Sequence, residues 1–527
     1  MHTQHSSQQR LRRLIEIGIS LSGESNSERL IESILLWAKE ITQADAGTLY
    51  LREKNHLQFT ILCTDSLGLA MGCVGGDPID LPPIPLYQEN GTPNFSLVCN
   101  YAALTGQTIR LEDAYLAKGF DFSGTRAFDL KNNYRSGSFL TVPMSNHEHE
   151  VIGVLQLINK RNPETSGFVS FDEEDEQLAK SLASQAAVSL TKQHLIRDME
   201  ALFTSFAEVI ATGIDAKSPH TAGHCRRVPT LTLQIAEAVS ATKEGPLASF
   251  VLTPEIRNTL ALAAWLHDCG KISTPEWVME KATKLYSLAD RIELVETRLE
   301  LLRRDIEIEE LRAALEQHGG KTAVAGIDKK LSQNSERWFE IRAFLRKSNL
   351  GSEGMTQEAK IRVGDLAKKS WIDLDTKQKP FLTEDEVKNL TIPYGTLTRE
   401  ERGIINQHIV TTIKMLEQLP FPKHLRHIPE YAGGHHEHMD GTGYPKGLKG
   451  EQMSVPARIM AIADVFEALT ASDRPYKTPK TIKESLSIMD RMATSGKLDS
   501  NIYEVFIRSD VWQRYAKEYL KPEQNHE

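Results

Sequence analysis

The chain has 527 residues, 40% of them hydrophobic and 25% charged, with a formal net charge of -9. That length exceeds a single core and calls for two or three domains, while the negative balance argues against a nucleic-acid polymer as the main partner. No apolar run reaches the roughly 18 residues needed to cross a bilayer, and Met1 to Arg13 lacks the apolar h-region of a signal peptide. A cytoplasmic protein with no membrane span is expected, with residues 1–13 as a disordered leader. Cys63, Cys73, Cys99, Cys225 and Cys269 form no CxxC pair, which fits a reducing compartment and excludes a zinc ribbon.

Ser25-Asn26-Ser27-Glu28 reads as a capping box ahead of a helix whose apolar face is Leu30, Ile34, Trp37 and Ile41. Strands follow. Thr48 to Leu51 and the alternating Leu57, Phe59 and Ile61 flank a polar turn at Glu53-Lys54-Asn55. Phe139 to Met144 and Val151 to Ile158 predict a second hairpin, and a helix begins near Phe171. Helix, hairpin, long loop, hairpin, helix is an α+β sandwich with a loop-covered pocket.

This order, together with Asn159-Lys160, Phe171 and then Asp175-Glu176, resembles a GAF domain of the type found in cyclic-nucleotide phosphodiesterases. The resemblance implies a sensor domain over residues 14–190, built on an antiparallel sheet with helices. It also implies a structural ion pair between Lys160 and Asp175, and either a small, cyclic-nucleotide-like ligand or a fold used only for dimerisation.

A connecting helix is expected over 188–213. Leu195, Met199, Leu202, Phe206 and Val209 step by four, three, four, three, a heptad seam that Lys192 interrupts upstream. It reads as a parallel homodimer helix carrying a signal, or as an amphipathic helix packed within one protomer.

The second half scatters histidines and aspartates over predicted helices. His224 shares a stripe with Val228, Leu231 and Ile235, and Pro229 confines it to the first turn. Thr253-Pro254 opens a helix whose inner end is His267-Asp268. The capping box Thr398 to Glu401 opens another, with His408 on its apolar side. Val455 to Leu469 carries Asp464 among Ala457, Ala461 and Ala468, and an adjacent pair, His435-His436, stands between. One inward histidine is most often a core residue, but an aspartate on a buried face is costly unless paired. Imidazoles with carboxylates suit transition metals, and a two-metal cluster suits in-line attack on a phosphodiester.

These pieces stand as Thr221-Ala222-Gly223-His224, His267-Asp268-Cys269-Gly270-Lys271, His435-His436-Glu437 through Asp440-Gly441 to Gly443-Tyr444-Pro445, and Asp464 to Arg474-Pro475-Tyr476-Lys477. Over residues 200–525 they resemble an HD-GYP domain, an all-α phosphodiesterase of the HD superfamily acting on cyclic di-GMP. The resemblance implies metal ligands at His224, His267, Asp268, His408, His435, His436 and Asp464, with Asp268 bridging. It implies two divalent ions, iron or manganese, and a third if His220 is also a ligand. Asp268 and Lys271 would serve catalysis, and Arg474 and Lys477 would hold substrate phosphates.

Two departures stand out: the usual HPxxG around the helix histidine reads His408-Ile409-Val410-Thr411-Thr412, and Glu467 replaces a frequent aspartate one turn after Asp464.

An insertion interrupts this domain at about 285–393. Leu285, Leu288, Ile292, Val295, Leu299, Leu302 and Ile306 form a heptad, a polar break covers Gln317 to Gly326, and a second helix carries Trp338, Ile341 and Leu345. A helical hairpin is predicted, serving as a dimer arm, a docking platform, a lid or nothing beyond stability. The leading expectation is a GAF-regulated cyclic di-GMP phosphodiesterase giving pGpG or GMP. The alternatives are a phosphodiesterase for another cyclic dinucleotide such as cyclic GMP-AMP, or a non-catalytic cyclic-dinucleotide receptor or scaffold.

Overall fold

The computed structural model describes residues 2–24, 26–162, 164–165, 167–217, 223–318, 320–352, 354–375, 377–471 and 479–525, without the side chains of 2–11, 22, 317–334 and 525. The chain divides into two compact units, Met1–Leu202 and Phe203–Glu527.

In the first unit, α1 (His2–Gly23) and α2 (Ser27–Thr42) precede β1 (Ala44–Glu53), β2 (His56–Thr64), β3 (Leu69–Met71) and β4 (Ile84–Pro85). Then come α3 (Val98–Thr105), β5 (Ile109–Leu111), α4 (Ser123–Asn132), β6 (Phe139–Ser145), β7 (Val151–Arg161), β8 (Phe168–Val169) and α5 (Glu173–Lys217), which runs on into the second unit. The antiparallel sheet has the order β3-β2-β1-β7-β6-β5, with β4 on β2 and β8 on β7. Strand alternation sorts side chains to two faces. Leu49, Ile61, Leu155 and Leu157 pack with Ile17 and Leu21 of α1, Leu30 and Ile34 of α2 and Leu182 and Ala186 of α5. Tyr50, Leu57 and Val154 pack with Cys99, Ala102 and Ala103 on the other face. Both hairpins fall where the alternation placed them. Two details differ. Residues 2–13, expected as a disordered leader, belong to α1, whose Leu14, Ile17 and Leu21 are buried. The cap of α2 is Asn26, whose side chain accepts from Arg29 N; Ser25 is outside the described residues.

The second unit is helical. It holds α6 (His224–Ser240), α7 (Pro254–Leu266), α8 (Glu276–Met279), α9 (Ile292–His318), α10 (Gly320–Asn349) and α11 (Gln357–Ala367). A small hairpin follows, β9 (Ser370–Ile372) with β10 (Gln378–Pro380), and then α12 (Glu384–Leu390), α13 (Arg399–Glu417), α14 (Ile428–Gly433) and α15 (Val455–Thr470). The unit closes with α16 (Ile482–Thr494), α17 (Ser500–Arg508) and α18 (Val511–Tyr519). One core joins α6, α7, α14, α15 and α17 through Leu231, Ile235, Leu260, Ala263, Ala432, Ile459, Ala463 and Phe506.

The insertion has a core of its own. Val295, Leu299 and Leu302 of α9 meet Ile341 and Leu345 of α10, with Val363, Phe381 and Leu390 closing the base. The helical hairpin is therefore present, but it starts later than the heptad suggests. Leu285 is buried ahead of α9, whereas Leu288 is 91% exposed. The polar break also shrinks, because α10 starts at Gly320.

Candidate metal centre

The site is built where the start of α6 and the ends of α7 and α14 meet the buried faces of α13 and α15. His224 is the first residue of α6, preceded by Gly223 in the left-handed conformation. His267 ends α7, a helix capped by Thr253 with Pro254 at its first position. Asp268 leads into a 3-10 turn, Cys269–Ser273. His408 lies on the buried face of α13 with Ile409, Thr412 and Leu416, behind the capping box of Thr398 and Glu401. His435 and His436 directly follow α14, and Asp464 is on α15.

Small residues permit this convergence. A Cβ on Gly270 would lie 2.0 Å from His408 O and 2.6 Å from Thr412 N. Only glycine lets the turn touch α13, and Gly270 N then donates to Thr412 Oγ1 at 2.9 Å. Gly433 and Gly434 do the same for α14: a Cβ there would meet Ile413 at 2.8 Å and Ala457 Cβ at 2.8 Å.

The donor atoms fall into two groups within 4.8 Å, His224 with His267 and Asp268, and His408 with His435 and His436. Asp268 spans them. Its Oδ2 is 3.3 Å from His224 Nε2 and 3.4 Å from His267 Nε2, while its Oδ1 is 3.3 Å from His408 Nε2. Asp464 Oδ1 lies 3.4 Å from His224 Nε2 and 3.8 Å from His267 Nε2. The imidazoles also face each other through Nε2, at 3.2 Å for His224 and His267 and 3.3 Å for His408 and His436.

The far side of each ring decides which nitrogen is free. His267 Nδ1 donates to Ala264 O at 2.7 Å, His408 Nδ1 to Ile405 O at 2.6 Å, and His435 Nδ1 to Ala432 O at 2.6 Å. A carbonyl can only accept, so each Nδ1 carries the proton and each Nε2 keeps its lone pair. His224 Nδ1 is held by Glu467 Oε2, and Glu467 Oε1 accepts from Arg227 Nε at 2.7 Å. His436 stacks on Tyr444, with ring centroids 4.8 Å apart.

Burial lowers the pKa of His435 well below the usual imidazole value, and His436 falls to about 4 for the same reason. Both are neutral ligand-ready rings at pH 7. Burial opposes charge on His224 too, but Glu467, Asp268 and Asp464 overcome it and lift its pKa to about 10. Burial would also neutralise Asp268, yet Lys271 and His267 hold it well below the ordinary carboxylate range. Burial disfavours the charge of Asp464 as well, yet its contact with His267 and the charge on His224 hold it well below the ordinary carboxylate range.

Divalent metal ions fit this donor set. Two donors each about 2.1 Å from one ion lie about 3.0–3.4 Å apart, depending on the angle. Lone pairs converging at such distances repel unless a cation or proton lies between them. His435 Nε2 is buried and has no hydrogen-bond partner, the mark of a lone pair meant for something else.

All seven residues that the resemblance named as ligands meet here. Lys271 Nζ pairs with Asp268 Oδ2. His220, Arg474 and Lys477 lie outside the described residues. In the first unit Lys160 Nζ contacts Asp175 Oδ2 and, at 2.7 Å, Asp172 Oδ2.

Two carboxylates with structural work were not assigned a role from the sequence. Glu467 orients His224. Glu437 is buried and accepts from Lys446 N at 2.7 Å and Leu448 N at 2.9 Å, fixing the Gly443-Tyr444-Pro445 loop. For Glu467 the signal was available, because a glutamate inside a run of apolar and small residues must have partners.

Residues 26–190 match the GAF domain family and residues 384–502 match the HD domain family. A 3'3'-cGAMP-specific phosphodiesterase 1 of Vibrio cholerae is 35% identical over 152 residues, covering 27% of this chain and 34% of that protein. A cyclic di-GMP phosphodiesterase of Thermotoga maritima is 38% identical over 130 residues, covering 24% of this chain and 34% of that protein. One from Pseudomonas aeruginosa is 37% identical over 116 residues, covering 22% and 27%. The matches span about a third of the length of these curated relatives or less.

Proposed function

We propose, for a chain that joins an N-terminal GAF domain to a C-terminal HD domain, a metal-dependent phosphodiesterase that opens a cyclic dinucleotide, with cyclic di-GMP as its substrate. The observation that carries this reading is the Asp268 carboxylate, whose two oxygens face separate histidine groups 3.3–3.4 Å away. Two ions, iron or manganese, would be held by His224, His267 and Asp464 on one side and His408, His435 and His436 on the other, with Asp268 between. When bound they supply Lewis acidity and an activated water for in-line attack on phosphorus.

The chain's own residues do the rest. Ala264, Ile405 and Ala432 carbonyls keep three imidazoles in the ligating tautomer. Glu467 holds His224 through Nδ1. Lys271, drawn in by Asp268, neutralises charge on the phosphoryl oxygens as the 3' oxygen leaves. Tyr444, stacked on His436 and backed by the Glu437-anchored loop, forms part of the rim. Arg474 and Lys477 remain proposed phosphate contacts and His220 a proposed extra ligand, on the sequence alone.

Cyclic GMP-AMP is the second reading, supported by the Vibrio cholerae relative named for that substrate. Regulation is proposed to come from a small ligand of the GAF domain. A parallel homodimer through α5 is supported by the exposure of Leu195 (59%), Leu202 (56%), Phe206 (57%) and Val209 (68%) on one seam. No described helix is long and apolar enough to cross a membrane.

The test is anaerobic turnover of cyclic di-GMP and cyclic GMP-AMP, separately, after loading with iron(II) or manganese(II). Products linear in time, and lost in a His267→Ala, Asp268→Ala double variant, support the enzyme and rank the substrates. Tight nucleotide binding with no turnover under either metal would replace the enzyme with a receptor.

A further inference from the structure

The five cysteines are all free thiols, and two of them lie against each other in the first unit. Cys63 is the penultimate residue of β2 and pairs in register with Ala70 of β3. Beyond β3 the chain must reverse. Gly72 does this at φ +73, where a Cβ would come within 2.3 Å of Thr60 O. Its N–H donates to Asp77 O at 2.8 Å. Cys73 to Gly76 then close a tight turn, with Gly76 N donating to Cys73 O at 2.9 Å and Gly75 at φ +79. The turn folds Cys73 back over β2, and its Sγ comes to rest 3.3 Å from Cys63 Sγ. Cys63 is buried in the core beneath α2, whereas Cys73 is half-buried at its edge.

We propose that Cys63 and Cys73 form a redox-active pair that closes to an intramolecular disulfide, a modification site in the GAF domain separate from the metal centre. A disulfide needs about 2.05 Å between sulfurs. From 3.3 Å the closure asks for a little over 1 Å of movement. A turn holding Gly72, Gly75 and Gly76 can yield that much.

The chemistry requires an oxidant, here hydrogen peroxide. The more accessible Cys73 thiolate attacks the peroxide oxygen, the O–O bond breaks, and Cys73 becomes a sulfenic acid as one water leaves. Cys63 sulfur then attacks that sulfur, the S–O bond breaks, and a second water carries away the oxygen and the Cys63 proton. The two thiols lose two electrons in all, and a dithiol restores them by exchange. Burial and the neighbouring Cys63 push the Cys73 thiol up to about 12, so thiolate is scarce at neutral pH. The oxidation is therefore tested at mildly alkaline pH and over hours.

The proposal does not depend on the phosphodiesterase reading, because its readout is mass rather than turnover. The full chain is held with excess hydrogen peroxide at mildly alkaline pH over hours, denatured, alkylated and mapped by peptide mass spectrometry. The expected product is a peptide pair linking Cys63 to Cys73, two hydrogens lighter than the reduced pair and recovered as two alkylated thiols after dithiothreitol. In Cys63→Ala, the same treatment with dimedone present throughout traps Cys73 as its sulfenic-acid adduct. In Cys73→Ala, Cys63 stays alkylatable. Finding Cys63 and Cys73 both alkylated in the treated wild-type chain, or each linked to another cysteine, overturns the proposal. The wild-type map decides this without relying on the fold of either variant.

Discussion

Glu467 offers a direct test of how the site is organised, because it touches no proposed metal and no substrate. It is fully buried, and its two oxygens are divided between His224 Nδ1 and Arg227. Glu467→Gln keeps the shape and removes the charge. The glutamine can still accept through one oxygen, so it can satisfy His224 or Arg227 but not both. If His224 loses its acceptor, the ring is free to rotate or change tautomer, and Nε2 no longer points at Asp268 and Asp464. Removing such an outer partner typically weakens metal binding by about 10–100-fold, or about 1.4–2.7 kcal/mol. A separate stability loss follows from Arg227 facing a neutral amide. That guanidinium is 17% exposed, which places the loss at about 3 kcal/mol or less, toward the low end for a broken buried pair.

Manganese(II) affinity, measured by competition with a chelator of known strength, checks the first figure, and urea unfolding of the metal-free chain checks the second. Arg227→Gln separates the two effects, since it should lower stability while leaving the Glu467 contact to His224 intact. A folded Glu467→Gln chain that binds manganese within twofold of wild type would refute the view that this carboxylate positions His224.

Gly270→Ala should disrupt both the turn and the centre, because its methyl would sit 2.0 Å from His408 O; a stability loss of at least about 2 kcal/mol and loss of manganese binding are expected from unfolding and metal titrations. Lys160→Met strips the cation from Asp175 and Asp172 and should cost the GAF domain about 3 kcal/mol, read as an earlier unfolding transition, with turnover of the metal-loaded chain checked separately. In the insertion, Glu296 bridges α9 to Arg346 and Arg342 of α10, and those guanidinium groups bring its pKa down to about 2. A depressed carboxylate pKa means its stabilisation is complete above the unfolded value of 4.5 and drains away as pH falls toward about 2. Wild type and Glu296→Gln should therefore differ in unfolding free energy at pH 7 and converge on acidification through that window; a gap that stays constant with pH would assign the loss to packing.

The features that sequence exposes best are those that need only local geometry. Leu49 against Tyr50, and Leu155 against Val154, sort to opposite sheet faces because strands alternate. The caps at Thr253 and Thr398 are legible for the same reason, since a side chain answering an N–H three residues on is a short-range event. Where a longer pattern is extended past a capping or packing break, it misleads. The heptad through Leu285 and Leu288 continues the α9 spacing backward, but Arg291 N–H and side chain both turn to Leu285 O, so the chain ahead of Ile292 is a loop. The N-terminal stretch misleads in the opposite sense: the polar composition of residues 1–13 suggests a leader, but residues 2–13 continue the helix whose Leu14, Ile17 and Leu21 pack with α2 and α5.

The metal centre is intermediate. Its proposed ligands follow from residue type and motif resemblance, but what brings them together is supplied by contacts that no spacing encodes. The Ala264, Ile405 and Ala432 carbonyls choose the tautomers, and Gly270 and Gly434 set how closely the elements approach. Glu467 illustrates the difference. As a substitution for a more usual aspartate it looks like a departure, one methylene longer and without evident purpose. In the folded chain that extra length lies between His224 on α6 and its own helix α15, with Arg227 one turn beyond His224 closing the other oxygen. A Glu467→Asp chain, with the usual residue restored, therefore should not improve the site: its carboxylate withdraws by about 1.5 Å, roughly one C–C bond, and manganese affinity falls unless α6 follows. Affinity equal to wild type with Asp at this position would mean that α6 is free to shift and that the length of the side chain was never fixed by His224.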